Sequence, residues 1–388
     1  MAPSSTINGV CRWDAPALML TIAQAHSEPT EIDVGQDVRT LTFTANGEYL
    51  VTGHEEEVRM WRIKDGTQVV RMEMGLVLSL AASKNGKWIA AGTPSEMSVW
   101  DARTYEQVLK EEVGYVYGVD FSPDSTRLVA ATDNATAMVW DLATGKQVQT
   151  LDHQNYVMAA KYSPRGDRIA TVSFESVRVW DSNDGCLLVD IDAEENSYFT
   201  NGLLWSNDHL FVVSDINFEE FDRKFEKFDA STGSKDLEWP VRDTNVYWSI
   251  ALPKHEQFIA FSAKRTVTFW DTTHNQLPLT LQHPEDIRFI AFSPGDRILA
   301  IGGGRKITLL PVSTVTCWVM SSLNSFLVLS ICTGPIPTVS PTSYLPRTCH
   351  SNRGRYTRLV EARSARKRRS VIDCVDQPVA ESEQTSTR

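Results

Sequence analysis

A segment of about 40 residues recurs along most of the chain. Its clearest copies begin at Val77, Val116 and Val157, and each of them ends in Val-Trp-Asp. A chain of 388 residues exceeds what one hydrophobic core usually serves, unless similar units bury their faces against one another. The repeat therefore predicts a stack of similar units. The remaining copies begin at Val38, Thr200, Val246 and Ile287.

Each copy ends near one large apolar residue. The intervals between these residues are 39, 40, 40, 48, 42 and 40, so a single interval is clearly long. Three short alternating apolar runs lie within each copy, and turn sequences such as Asn46-Gly47 and Asn85-Gly86 separate them. This pattern predicts a meander of short antiparallel strands. The seven anchor residues are Trp61, Trp100, Trp140, Trp180, Phe228, Trp270 and Leu310.

This period, ending in a Trp-Asp dipeptide, resembles the WD-repeat β-propeller family over residues 13–311. The resemblance implies an all-β fold in which each copy forms a four-stranded blade, with seven blades around a channel. It also implies that the anchor residues from Trp61 to Trp270 are structural, where truncation to alanine typically costs ~3 to 5 kcal/mol. We divide the chain into an N-terminal arm (1–12), the seven-bladed propeller (13–311) and an irregular C-terminal tail (312–388) that we expect to be disordered.

The ends of the repeat region predict how the ring closes. Trp13-Asp14 followed by Leu18, Leu20 and Ile22 matches the end of a blade, but no blade start precedes it. The last copy ends in Leu310-Pro311 and lacks the Trp-Asp dipeptide. We therefore expect the N-terminal strand to complete the last blade, as is common in this family.

The family's stabilising set of His, Ser or Thr, Asp and Trp is largely incomplete in this sequence. His153 and His283 occupy the loop position of the histidine, but Phe174 stands where the turn aspartate opposite Trp180 is expected. We therefore expect burial between blades, rather than this hydrogen-bond set, to hold the ring together.

Motifs for catalysis are absent from the sequence. It contains no phosphate-binding glycine loop, dinucleotide fingerprint, nucleophile elbow or paired metal-binding histidines, and Gly302-Gly303-Gly304 falls at a predicted turn. The six cysteines include no pair at metal-ligand spacing. We expect a protein with no cofactor, no metal and no enzymatic activity. The alternative, a cofactor-dependent propeller enzyme, would need ligands clustered in the channel.

Charge is unevenly distributed along the chain, whose formal net charge is −11. Residues 1–311 carry 28 basic and 44 acidic side chains, and residues 347–388 carry ten basic and five acidic ones. An acidic body disfavours nucleic acid and favours basic partners. The alternative, an RNA- or translation-associated propeller subunit, would need a basic stripe on the body.

The loops expected on one face of the propeller are rich in acids and aromatics. Carboxylates and aromatic rings together suit lysine and arginine side chains. We predict a protein-interaction scaffold or adaptor that binds basic peptide segments through this face. The alternative is that the acids only aid solubility and the aromatics pack between blades. The candidate residues are Glu55, Glu56, Glu57, Glu111, Glu112, Tyr115, Tyr156, Glu194, Glu195, Tyr198, Tyr247 and Trp248.

The long interval before Phe228 contains phenylalanines at helical spacing. Phe218, Phe221, Phe225 and Phe228 are separated by three, four and three residues, which would suit a short amphipathic docking helix. The alternative, which we favour, is an extended hairpin whose phenylalanines pack on the blade. In either case Phe228 replaces the repeat tryptophan.

The C-terminal tail breaks the repeat pattern. Residues 312–346 have no charged side chain, and the apolar run 317–332 would make only a marginal membrane anchor, because five Ser or Asn residues interrupt it. The basic stretch 363–370 suits either a nuclear-localisation signal or a solvated tail. The N-terminus has no pattern of a secretory signal. We expect a cytoplasmic protein, with nuclear entry through the basic tail as the alternative, and no membrane partner.

Overall fold

The computed structural model describes residues 30–216, 222–241, 249–253, 258–271 and 279–312. All of them belong to one compact unit, Met1–Phe326. Among them are 28 strands, which form seven four-stranded antiparallel sheets. The seven-bladed all-β fold expected from the repeat is therefore confirmed. Within these residues, no helix has the length and apolar character needed to cross a bilayer.

The first three blades follow one another without interruption, each a meander in which consecutive strands pair. Blade one contains β2 (Thr40–Phe43), β3 (Tyr49–Gly53), β4 (Glu57–Arg62) and β5 (Thr67–Glu73). Blade two contains β6 (Ser79–Ala82), β7 (Trp88–Gly92), β8 (Met97–Asp101) and β9 (Gln107–Glu111). Blade three contains β10 (Val116–Phe121), β11 (Arg127–Thr132), β12 (Thr136–Asp141) and β13 (Lys146–Asp152).

The next three blades repeat this meander. Blade four contains β14 (Val157–Tyr162), β15 (Arg168–Ser173), β16 (Ser176–Asp181) and β17 (Leu187–Asp192). Blade five has the longest strands, β18 (Ser197–Ser206), β19 (His209–Ile216), β20 (Asp222–Asp229) and β21 (Lys235–Val241). Blade six contains β22 (Ile250–Ala251), β23 (Phe258–Ala263), β24 (Thr266–Asp271) and β25 (Leu279–Gln282).

Blade seven combines the two ends of the repeat region. Its inner strands are β26 (Phe289–Phe292), β27 (Ile298–Gly303) and β28 (Lys306–Pro311). The fourth strand is β1 (Thr30–Asp33), which pairs antiparallel with β28 and sets Ile32 opposite Ile307. Closure by an N-terminal strand is thus confirmed.

The closing strand is not the one that the sequence predicted. It lies at Thr30–Asp33, whereas the prediction placed it after Trp13-Asp14, at Leu18, Leu20 and Ile22, which lie outside the described residues. The true strand has only one apolar side chain, Ile32, and so carries a weaker alternating pattern. Its position is set by a short link to blade one, held where the amide of Val38 donates to the carbonyl oxygen of Gly304 at 2.9 Å.

The anchor residues lie between neighbouring blades. Trp61 packs against Ala300 and Ile307 of blade seven, and Trp100 packs against Val51 of blade one. Because each sheet is covered on both faces by its neighbours, the ring buries apolar surface at every junction. The anchors Trp61, Trp100, Trp140, Trp180, Phe228 and Leu310 are all less than a tenth exposed, and Trp270 is partly buried.

Two anchors are also held by buried hydrogen bonds. The indole N–H of Trp180 donates to Thr171 Oγ1 at 2.7 Å, and His153 Nε2 lies 2.7 Å from the same oxygen. In blade one the indole of Trp61 donates to Thr52 Oγ1 at 2.9 Å. The histidine beside Thr52 is His54, from the turn after β3, rather than a residue of the connecting loop.

The other blades lack parts of this arrangement. The position nine residues before the tryptophan, threonine in blades one and four, is Ala91 in blade two and Ala131 in blade three. Neither alanine carries a hydroxyl group to accept the indole N–H. In blade four itself, His153 Nδ1 has no partner among the described residues, since Phe174 replaces an acidic residue there. Burial is therefore the interaction that all blades share.

Candidate functional site

One end of the propeller, called here the top face, is formed by the connections between blades and the turns that join the second and third strands of each blade. In the blades whose start is described, the residue directly before the first buried apolar residue lies at an equivalent position on this face. Three consecutive blades have tyrosine at that place, ahead of the buried residues Val116, Val157 and Phe199. Those tyrosines are Tyr115, Tyr156 and Tyr198.

Five rings form a continuous row across the top of blades three to five. Tyr115 and Tyr117 have ring centroids 4.7 Å apart, and Tyr117 and Tyr156 are 6.0 Å apart. Phe174 continues the row, at 4.9 Å from Tyr156 and 5.8 Å from Tyr198. These spacings lie within the range of favourable aromatic pairing. We call these five residues the aromatic row.

Local structure explains why the row is continuous. In β10 the side chain of Val116 is buried, so its neighbours Tyr115 and Tyr117 remain partly exposed at the top. Phe174 enters from the turn between β15 and β16, and its carbonyl oxygen accepts the amide of Phe199 at 2.9 Å. This bond fixes the turn of blade four against the first strand of blade five. The phenylalanine that breaks the hydrogen-bond set of the family thus bridges two tyrosines.

The row is partly open to solvent, and the phenols of Tyr117 and Tyr198 remain protonated at neutral pH. The side chain of Tyr156 is 37% exposed. Burial raises the pKa of Tyr117 above its usual value, and burial together with the nearby Asp215 carboxylate raises the pKa of Tyr198. At neutral pH these phenols therefore offer hydroxyl donors as well as apolar ring faces.

Exposed carboxylates flank the aromatic row. Glu112 and Glu195 each lie three residues before a tyrosine of the row, and both are exposed. Asp133 lies in the turn after β11, where its Oδ1 accepts the amide of Tyr115 at 3.1 Å, and Glu175 directly follows Phe174. Asp133 and Glu175 were missed from the sequence because the prediction concentrated on runs of adjacent acids. Their position in the turn between the second and third strands was the available signal.

The predicted acids Glu57 and Glu194 each form ion pairs with two basic side chains of the chain. Glu57 is only 1% exposed and pairs with Arg59 and Arg71. Glu194 pairs with Lys224 at 2.6 Å and with Lys235, and hydrogen bonds from these two lysines lower its pKa to about 2. The structure therefore gives these two carboxylates internal partners.

The carboxylates of Glu194, Glu226 and Glu238 approach one another closely enough to hold a metal ion. The ammonium groups of Lys224 and Lys235 lie among them, and Lys224 is itself buried. The positive charge that a cation would supply is thus already present. We interpret this cluster as a structural network of blade five.

The acids of blade one border a separate cavity on the top face. Glu55 and Glu56, with Asp37 and Arg305, line a space of about 450 Å³ beside the link from the closing strand. Glu55 also pairs with Arg39 at 2.5 Å, whereas the side chain of Glu56 is exposed. This cavity brings together two of the predicted acids, at a place apart from the aromatic row.

The remaining predicted residues divide into two groups. Glu111 is partly buried at the end of β9 and next to Glu112. Tyr247 and Trp248 lie outside the described residues. The structure thus places Tyr115, Tyr156 and Tyr198 in one row of rings, and Glu112 and Glu195 are exposed in the connections that lead to Tyr115 and Tyr198.

Comparison with known proteins gives both sequence and structural matches. The family model "WD domain, G-beta repeat" matches residues 104–141 and 145–181. The small ribosomal subunit protein RACK1y of Oryza sativa subsp. japonica is 25% identical over 95 residues, which are 23% of this chain and 28% of that protein. The match therefore spans little more than a quarter of that relative's length.

A solved structure titled "Structure of U3-55K" superposes on the chain with a TM-score of 0.60. It covers 71% of this chain and 95% of the other, at 16% sequence identity, so the similarity concerns the fold. The matched repeats lie in blades two to four, and the other sheets have the same four-stranded meander. Parts of blades two to four thus match the WD-repeat family model, and the described chain as a whole has the fold of a seven-bladed β-propeller.

Proposed function

We propose that this propeller is a non-catalytic protein-binding platform, and that the aromatic row with its flanking carboxylates binds a basic segment of a partner protein. Propellers of this family generally serve as interaction scaffolds. The observation that carries the finer proposal is the aromatic row itself, five rings in contact and partly open to solvent across three blades.

The chemistry of this surface suits lysine and arginine. A cation over a tyrosine ring gains about 0.5 to 2 kcal/mol, depending on how far it is desolvated. The exposed carboxylates of Glu112, Asp133, Glu175 and Glu195 add attraction and hydrogen-bond acceptors at the border. Large aromatic contact areas also dominate many peptide-binding hot spots. A basic segment would thus contact rings along its length and acids at its sides.

The opposing interpretation is that the rings serve only to pack neighbouring blades. Tyr117 and Phe174 do contribute to packing, since both are partly buried. Tyr156, however, lies at the centre of the row and exposes more than a third of its surface. Residues that pack blades elsewhere, such as Trp140, are almost fully buried. The exposure of Tyr156 favours binding.

The test uses the full chain and fluorescent peptide libraries whose central residues are Lys or Arg, norleucine, or Glu. We expect the basic library to be retained more strongly than the norleucine and glutamate libraries, and this preference should weaken as the salt concentration rises. The variants Tyr156→Ser and Tyr198→Ser should each lower affinity about 5- to 30-fold, as expected for the loss of one ring contact. Glu112→Lys and Glu195→Lys should weaken binding mainly at low salt.

The matched control is Leu188→Ser, which removes an exposed apolar side chain from the outer strand β17. It should leave peptide binding unchanged. Equal retention of all three libraries, or equal binding by wild type and the two tyrosine variants, would contradict the proposal. Melting temperatures of each variant establish that the loss is not due to unfolding.

A second candidate function is association with the translation machinery, supported by the short match to a small ribosomal subunit protein. The test is sedimentation of the full chain with ribosomal subunits at physiological salt. Co-sedimentation that survives a nuclease treatment of exposed RNA would support it. A chain that stays in the soluble fraction would exclude it.

A further inference from the structure

The mouth of the central channel has a chemistry different from that of the aromatic row. In every blade except blade six, where this position lies outside the described residues, the residue that directly follows the first buried apolar residue borders this mouth. In blades two to five it is Leu78, Tyr117, Met158 and Thr200. In the adjacent blades one and seven it is arginine, Arg39 after the buried Val38 and Arg288 after the buried Ile287.

The two arginines are held in matching backbone positions. The amide of Arg39 donates to the carbonyl oxygen of Gly53 at 2.8 Å, and the amide of Arg288 donates to that of Gly302 at the same distance. Because blades one and seven are neighbours, the two side chains start from equivalent points on the same side of the mouth. The repeat thus places two guanidinium groups together.

A cavity of about 300 Å³ lies at this mouth. Its charged lining residues are Arg39, Arg223 and Arg288, and no carboxylate belongs to its described lining. Tyr117, Thr200 and Asn201 add polar groups. The charged side chains that line this cavity are thus all arginines, although residues 1–311 carry 28 basic and 44 acidic side chains.

The two guanidinium groups have unused hydrogen-bond donors. Arg39 Nε and Arg288 Nη1 are buried and have no acceptor among the described residues. A buried donor without a partner is destabilising and is rare in folded proteins. In their present rotamers, these two arginines therefore have N–H groups that can donate hydrogen bonds to an added acceptor.

The ion pairs that these arginines make are exposed and replaceable. Arg39 pairs with Glu55 and Arg288 pairs with Asp37 at 3.3 Å, and the side chains of the two pairs are between 28% and 66% exposed. Such pairs contribute little to stability. Arg223 differs, because it is bound to the buried carboxylate of Asp215 and stays in place.

We propose that Arg39 and Arg288 form a subsite for an oxyanion, a carboxylate or phosphate group on a side chain of a partner polypeptide. The planar guanidinium fork binds both groups through two parallel hydrogen bonds. Tyr117 lines the cavity and also belongs to the aromatic row, so a segment lying along the row reaches this mouth. This inference rests on the proposed protein-binding function. The arginines of the subsite, however, are not among the residues proposed to bind the basic segment.

The first experiment uses inorganic phosphate as the probe and the full chain as the protein. Melting temperature is measured against phosphate concentration, with sodium chloride at matched ionic strength as the reference. A saturable rise in Tm is expected for the wild type. The variant with both Arg39→Gln and Arg288→Gln should lose this rise, and the lysine versions should retain only part of it, since lysine keeps the charge but lacks the fork.

The matched control is Arg165→Gln, an exposed arginine in the turn between β14 and β15, at the other end of the blades. It should respond to phosphate as the wild type does. An equal rise in Tm for the wild type and the double glutamine variant would overturn the proposal, and so would a rise that never saturates.

The second experiment identifies the source of the oxyanion. Peptide libraries with a central glutamate, phosphoserine or glutamine are passed over the wild type and the double glutamine variant. Retention of the glutamate or phosphoserine library by the wild type alone supports the subsite and names its group. Equal retention of all three libraries overturns it. Tyr156→Ser and Tyr198→Ser should leave the phosphate effect unchanged, which separates this proposal from the basic-segment site.

Discussion

Trp180, Thr171 and His153 form a buried hydrogen-bonded chain inside blade four. Thr171 Oγ1 accepts the indole N–H and also contacts the imidazole, both at 2.7 Å. Burial lowers the pKa of His153 to about 3, and the positive charge of Arg178 acts in the same direction. The imidazole is therefore neutral in the folded protein through the physiological range.

This histidine makes stability depend on pH. In the unfolded chain its pKa is about 6.5, so below that pH the unfolded state binds a proton that the folded state excludes. The contribution of His153 is fully present above pH 6.5 and is lost as pH falls toward 3. The loss is at most about 1.4 kcal/mol per pH unit.

The prediction is tested with His153→Gln in urea unfolding at pH 7.5, 6.5 and 5.5. The variant should be less stable at pH 7.5 but should lose less free energy of unfolding between pH 6.5 and 5.5 than the wild type. His209→Gln, at a partly exposed position in blade five, serves as the control. Identical pH slopes for the wild type and His153→Gln would show that this histidine does not carry the effect.

Residue positions also explain which site residues could be predicted from the sequence. Tyr115, Tyr156 and Tyr198 precede equivalent buried residues, so the repeat alone places them on one face. Glu55, Glu56 and Glu57 look alike in sequence, but Glu57 begins β4 and its side chain is buried between two arginines. Adjacent residues at the start of a strand point in different directions, which composition does not reveal.

At the scale of elements, the closing strand shows the limit of hydrophobic patterns. Leu18, Leu20 and Ile22 alternate well, yet the four residues Thr30–Asp33 close the ring with one buried side chain, Ile32. A short edge strand gains most of its pairing from backbone hydrogen bonds, which do not depend on side-chain type. The position of Thr30–Asp33 shortly before β2 in the sequence was the better indication of the closing strand.

The closing strand gives a prediction of its own. Ile32→Asp in the full chain places a charge in a buried site beside Ile307 and Leu309, which should destabilise the protein by about 3 kcal/mol or more. Melting temperature and limited proteolysis are the measurements. The control is Glu31→Gln, which removes an exposed ion pair with Lys306 and should have little effect. An unchanged Tm for Ile32→Asp would show that another segment closes the ring.

Strand β20 of blade five agrees with the extended hairpin that the sequence favoured over a docking helix. Phe225 and Phe228 both lie on strand β20 and both are buried, while Phe218 and Phe221 lie outside the described residues. Phe225 packs with Phe261 of blade six, whereas Phe228 packs with Val189 of blade four. In a propeller both faces of a strand are covered, so phenylalanines three residues apart do not indicate one helical face.

At the scale of the whole molecule, equivalent positions carry different chemistry around one ring. Blades three to five place tyrosines on the top face, and blades seven and one place arginines at the channel mouth. The backbone that presents these groups is the same meander in every blade. Because the fold does not fix these side chains, the repeat predicts the architecture, but the partner must be sought through the surface.

The most direct test of the binding platform compares three versions of the full chain by affinity purification and quantitative mass spectrometry. They are the wild type, the double variant Tyr156→Ser with Tyr198→Ser, and the control Leu188→Ser, each shown to fold by its melting temperature. We predict a set of partners that the wild type and the control recover equally and that the double variant loses about tenfold or more, in line with the removal of two ring contacts. Recovery of the same partners in the same amounts by all three would contradict the assignment of partner binding to the aromatic row.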